Sequence, residues 1–213
     1  MKFNILKATA LRLSFLSILL LGLTSCEKLG LTAPKMDSAD AVQRVIDTYK
    51  EHVAAANYKP IQVKWYEIDK LSNDLCYLNI DYVGKEDNKL YTQSFKIGGD
   101  NQNAGEMELS KFRTHVKFDF EKEKEVTLED INAEIIIKQI ENAKAQIPEE
   151  YRFKSLSDYE IQGDSRKQEL KATFTIRVTM KGEGTTTQGR QIITNYYEFD
   201  FVGNPDGTAT MKD

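Results

Sequence analysis

The sequence predicts an α+β protein built as two tandem units, each a helix packed on an antiparallel sheet of three to four strands. Apolar residues recur at helical spacing in two places after the first 36 residues. Elsewhere they alternate with polar residues at every second position, the period of a half-buried strand. Each helical pattern precedes a run of such strands, so the order of elements repeats.

The first helix is predicted over 38–56. Val42, Val45, Ile46, Tyr49 and Val53 share one side, Arg44, Asp47, Lys50 and Glu51 the other, and Asp37 or Ser38 is placed to cap it. Pro60 separates this helix from a strand in which Ile61, Val63 and Trp65 alternate with Gln62, Lys64 and Tyr66. A polar turn at Ser72, Asn73 and Asp74 leads to a second strand over 75–83, and a turn over 84–88 to a third over 90–97. Phe112, Thr114, Val116, Phe118 and Phe120 alternate with Arg113, His115, Lys117 and Asp119, which predicts a fourth strand with one wet face.

The second unit opens at a capping box, Thr127 with Asp130, followed by a helix carrying Leu128, Ile131, Ile135, Ile136, Ile140, Ala143 and Ile147 and ended by Pro148. Strands follow over 153–161, 170–180 and 190–202, with a hairpin loop at Gly182, Glu183 and Gly184 and a terminal turn at Asn204, Pro205, Asp206 and Gly207. Tyr66, Glu67 and Ile68 in the first half answer Tyr159, Glu160 and Ile161 in the second, which reads as an internal duplication with units over 37–122 and 123–213.

The N-terminus is of another kind. Lys2, Lys7 and Arg12 precede an apolar run over 13–23, the order of a signal peptide. A permanent span needs about 20 apolar residues, and this run falls well short. It ends in Leu23, Thr24, Ser25 and Cys26, which resembles the lipobox of bacterial lipoproteins. The resemblance implies cleavage between Ser25 and Cys26, a signal peptide over 1–25, acyl chains on Cys26, and a tether over 26–36. Two or three acyl chains hold a protein stably where one does not. Glu27 and Lys28 partly resemble the acidic cluster behind this cysteine in surface lipoproteins of Bacteroidota. The expected address is the cell envelope, by way of the outer membrane, with the periplasmic or surface face left open. A helix across an antiparallel sheet is also similar in architecture to the cystatin-like and PepSY-like units of small envelope proteins.

The whole chain of 213 residues carries a formal charge of −4, and loss of the three leader cations would bring it to −7. An acidic body makes a poor nucleic-acid partner and leaves acyl chains as the expected membrane contact. With Cys26 committed to lipid, Cys76 has no disulfide partner and reads as a small buried hydrophobe. His52 and His115 stand apart, and no metal-ligand spacing, nucleophile elbow or phosphate-binding glycine loop occurs, so no catalytic residue, metal or cofactor is expected. Glu198 and Asp200 read as solvated charges on a strand face.

Tyrosines are the suggestive feature: Tyr66, Tyr82, Tyr91, Tyr196 and Tyr197 cannot all point inward, and tyrosine offers rigid amphipathic contact area. The sequence therefore favours a noncatalytic, membrane-tethered binding or scaffold module for a protein, peptide or glycan. A hydrolase with carboxylates at the junction of the two units is one alternative. A carrier of a small hydrophobic ligand between helix and sheet is the other.

Overall fold

The computed structural model describes residues 33–53, 57–99, 102–113, 115–182, 186–188 and 191–212. Ser25, Cys26 and most of the predicted tether lie outside them, as do Thr114, Glu183 and Gly184. Residues Ala33–Asp213 form one compact unit.

Helix α1 spans Ala39–His52; Ser38 caps it, its side chain accepting from the Ala41 N–H at 3.2 Å. Strands β1 (Tyr58–Glu67), β2 (Leu75–Gly84) and β3 (Leu90–Lys96) follow as a meander. Two short strands, β4 (Asn103–Ala104) and β5 (Glu108–Leu109), pair with the outer edge of β3. Helix α2 (Ala133–Ala145) precedes β6 (Tyr151–Asp164) and β7 (Glu169–Met180), then the short pair β8 (Thr186–Gln188) and β9 (Gln191–Ile193), then β10 (Tyr197–Gly203) and β11 (Ala209–Met211). The nine-stranded sheet runs β11-β10-β7-β6-β1-β2-β3-β4, with β5 also on β3, and every recorded pairing is antiparallel.

The α+β class holds, but the halves do not close on separate cores. Strand β1 pairs directly with β6, and a single apolar cluster runs from Val42 and Val45 of α1 to Phe201 of β10. Both helices bury their apolar stripes in this cluster, Val42, Val45 and Tyr49 from α1, Ile136, Ile140 and Ala143 from α2, and they touch each other. The opposite face of the sheet is polar along its middle, which is what strict alternation on a one-sided sheet requires.

The Trp65, Tyr159, Phe174 and Phe201 rings stand opposite one another on four adjacent strands. Centroids are 4.7, 5.3 and 5.5 Å apart and interplanar angles 18°, 8° and 15°. Cross-strand aromatic pairs of this kind each add about 0.5–1.5 kcal/mol beyond area burial. The ladder crosses the β1–β6 seam and ties the halves into one body.

Four expectations are corrected. The segment with Phe112, Val116, Phe118 and Phe120 is not a strand, because β4 and β5 already occupy the β3 edge and Arg113 takes a left-handed φ of 56°. Phe118 and Phe120 instead fold onto the polar side and pack with Ile61, Val83 and Leu90 in a small second core. The helix expected from Leu128 is split: Thr127 donates to the Asp130 carboxylate at 2.6 Å and closes only a 3₁₀ turn, Leu128–Asp130. Asn132 then caps α2 by accepting from the Ile135 N–H at 3.1 Å. Pro60 lies within β1, beside a bulge, and the last strand expected over 190–202 is broken into β9 and β10.

The Tyr-Glu-Ile triplets are not equivalent. In the β1–β6 register Trp65, not Tyr66, stands opposite Tyr159, and Tyr66 pairs with Asp158 on the other face. Ile161 is 4% exposed and Ile68 51%, so a one-residue offset sends the matched side chains to opposite sides.

Candidate functional site

On the helix-free face, the β1–β6 seam is lined by charge. Lys64 of β1 lies between Asp158 and Glu160 of β6, with Nζ–O distances of 3.2 and 3.5 Å. Burial works against the ammonium charge, but the two carboxylates outweigh it, so the Lys64 pKa is raised. Next along β1, Tyr66 stacks on Tyr77 of β2 at 5.3 Å and 27°. Burial raises the Tyr66 phenol, so it stays neutral and able to donate.

At the end of β1, Glu67 turns inward and its side chain is 2% exposed. It accepts from the Asn73 N–H at 2.7 Å, from Ser155 Oγ at 3.0 Å and from Arg177 Nη1 at 2.7 Å, with a longer bond from the Leu71 N–H at 3.3 Å. A buried carboxylate is tolerable on these terms because its lone pairs are filled and its charge is paired. Arg177 also donates through Nε to Glu198 at 2.8 Å, and the Tyr196 ring lies 5.4 Å from its guanidinium carbon. Lys70 donates to the Tyr196 hydroxyl at 2.8 Å.

These groups surround a cleft of ≈ 520 Å³ lined by Lys64, Tyr66, Glu67, Lys70, Asp158 and Arg177, with Ile68 and Asn79 at its rim. Its walls are held from behind. Asn73 carries the β1–β2 turn, donating to Asp37 at 2.6 Å and accepting from the Leu156 N–H at 2.9 Å. Asp37 in turn takes the Lys144 ammonium of α2 at 2.6 Å. Burial opposes ionisation of Asp37, but the bonds from Lys144 and Asn73 outweigh it and hold the carboxyl below the usual range.

A second cleft, of ≈ 840 Å³, lies where α2 leaves the far ends of β6, β7 and β10 uncovered. Ile135, Ile161, Leu170, Ala172 and Val202 give it apolar walls, with Lys124, Lys167 and Lys171 at the border. Its floor is the buried pair Tyr159 and Gln139, in which the Tyr159 hydroxyl donates to Gln139 Oε1 and Gln139 Nε2 donates to the Asn204 carbonyl at 2.7 Å. Gly203 leaves room beside that floor: a Cβ there would stand 2.6 Å from the Gln139 amide, which would have to move.

The five tyrosines singled out by sequence do not form one surface. Tyr82 is fully buried in the core. Tyr91 shares the helix side, donating to Asp87 at 2.8 Å and meeting Tyr58 edge to face. Tyr197 lies at the end of β10 against Tyr151. Among the five, Tyr66 lies at the seam, stacked on Tyr77, and Tyr196 lies beside Lys70 and Arg177; the sequence pointed to no role for Tyr77 or Arg177 and to Glu67 only as part of a repeated triplet. A usable signal was that Glu67 lies five residues before the Ser72–Asn73 turn, whose backbone N–H groups need an acceptor.

Cys76 is 4% exposed, with burial pushing its thiol up. The His52 ring packs 5.2 Å from Phe95, and His115 is exposed. Asp158 and Glu160 converge at the seam on one cation, Lys64. Among the described residues no cluster of three or more His, Cys, Asp or Glu could hold a metal, and no helix is long and apolar enough to cross a membrane.

No family model matches the chain, and neither does any curated protein. Among solved structures, it is similar to a protein of Clostridium difficile 630 provisionally designated a lipoprotein, with 13% identity over 88% of this chain and 97% of that one, and a TM-score of 0.37. That likeness is too slight to transfer a fold or a role.

Proposed function

We propose that this chain is a noncatalytic, membrane-tethered envelope lipoprotein, anchored through Cys26 at the outer membrane, whose helix-free sheet face binds a glycan or a short peptide. The observation that carries the reading is the pre-ordered cleft at the β1–β6 seam, where the Tyr66–Tyr77 stack adjoins Lys64, Asp158 and Arg177. An aromatic platform flanked by fixed charges suits a polar ligand with one flat face. Tethering raises local concentration, so a weak contact suffices.

A photocrosslinking residue at Ile68, on the cleft rim, should capture a partner in intact cells, whereas one at Lys50, on the solvent side of α1, should not. Tyr66→Ala with Tyr77→Ala should abolish capture while leaving the circular dichroism spectrum unchanged. Equal capture from both positions would reject the face assignment. Radiolabelled fatty acid should label the native chain and not Cys26→Ala.

The two halves fit a duplicated unit of the cystatin-like or PepSY-like kind, joined edge to edge. Support lies in the repeated order of helix and antiparallel strands, and in the pairing of β1 with β6, the first strand of each half.

The ≈ 840 Å³ cleft favours a second reading, carriage of a small amphipathic ligand on its apolar walls. Native mass spectrometry of the purified protein would then detect a retained small molecule that Ala172→Trp expels. Identical spectra for both proteins would remove this reading.

A further inference from the structure

Three of the five large apolar side chains exposed among the described residues fall in one segment: Leu109 at 52%, Phe112 at 79% and Val116 at 42%. Lys111, His115 and Lys117, also exposed, are interleaved with them. Both flanks of this segment are fastened to the sheet. On one side the Ser110 N–H donates to the Leu90 carbonyl at 2.8 Å. On the other, Phe118 and Phe120 pack on Ile61, Val83 and Leu90, the Phe120 N–H donates to Asn88 at 2.7 Å, and Lys59 donates to the Phe120 carbonyl. The acids flanking the segment are Glu106 and Glu108 at its base, Asp119, which is paired with Lys122 at 2.7 Å, and Glu121, while Asp81 faces Arg113. None lies between Lys111 and Lys117.

We infer that Leu109, Lys111, Phe112, Val116 and Lys117 form a contact patch for an anionic lipid surface. The argument is charge complementarity joined to exposed apolar area. The chain as a whole carries −4, so this exposed segment with basic and apolar residues is the part that an anionic bilayer would attract while repelling the rest. Phenylalanine driven into the headgroup boundary strengthens binding by roughly tenfold or more, and each cation at such a surface by about fivefold. The inference is independent of the lipid on Cys26, since it concerns which part of the body meets the bilayer.

The test is amide hydrogen exchange of segment 109–117 in the full chain, with phosphatidylglycerol/phosphatidylcholine vesicles and with pure phosphatidylcholine vesicles. Protection is expected on the anionic vesicles alone. Lys111→Gln with Lys117→Gln should raise the lipid concentration at half-protection about 30-fold, and Phe112→Ser should remove protection. Ile68→Ser, an exposed apolar site elsewhere, should leave it unchanged. Equal protection on both vesicles, or none on either, overturns the inference. Protection that grows with protein concentration in the absence of vesicles also overturns it, by naming a second copy as the occupant.

Discussion

Strands β1 and β6 meet in the middle of the sheet, and the two faces of that one seam differ completely. On the helix side Trp65 stacks on Tyr159 and both are at most 1% exposed. On the open side their sequence neighbours, Lys64 with Asp158 and Glu160 and Tyr66 with Tyr77, stand half in water. Backbone and register are shared, so the contrast arises wholly from which residues fall on odd and even positions. The dry face carries the stability of the joined halves, and the wet face can change its residues at little cost, because altering it removes little buried apolar area.

Trp65→Ala should break the comparison most severely. It opens a cavity at the crossing of the halves and should cost about 3–5 kcal/mol, measured by urea denaturation followed by circular dichroism, since Trp65 is the sole tryptophan. A loss of under about 1 kcal/mol would mean that the seam is not cooperative.

Glu67→Gln comes next, because it leaves Arg177, 14% exposed, without its buried counter-charge. Breaking such a pair costs about 3 kcal/mol or more. Arg177→Met added to Glu67→Gln should recover much of that loss, and failure to do so would assign the cost to the Asn73 and Ser155 bonds instead.

The smallest effects sharpen the contrast through pH. Asp37 has a depressed pKa in the fold, so its contribution is present above the unfolded value of about 4 and is lost as pH falls through the folded one. Asp37→Asn should therefore flatten the acid limb of the stability curve. Asp81, on the open face, is raised by burial despite its bond from Thr92, so its sign is reversed: stability is full below the unfolded value and is lost as pH rises through the folded pKa. Asp81→Asn should flatten that decline and stabilise slightly at neutral pH. Identical pH profiles for the two variants would show that the carboxyls share one environment.

Much of the fold was legible. Both helices, the β1–β2–β3 meander and the long β6–β7 pair follow from periodicity, because a helix or strand with one buried face must repeat its apolar residues at that element's own spacing. The segment from Phe112 to Phe120 failed for an instructive reason: its alternation is as strict as that of β7, but a strand also requires a free edge, and no local pattern records that β4 and β5 have taken it. The site was less legible still. Tyr66 was visible as an amphipathic residue on a strand; Glu67 and Arg177, 110 positions apart, become partners only through the order of strands.

The sequence by itself determined which side chains need burial and where the apolar spacing is that of a helix or of a strand, since these depend on neighbours within a few residues. Only the tertiary structure decided that the halves share one sheet, that Trp65 rather than Tyr66 meets Tyr159, and that Tyr82 is core while Tyr77 stacks on Tyr66 on the open face. Those outcomes turn on register and edge pairing between distant strands, where a shift of one residue exchanges the faces and leaves every local pattern unchanged.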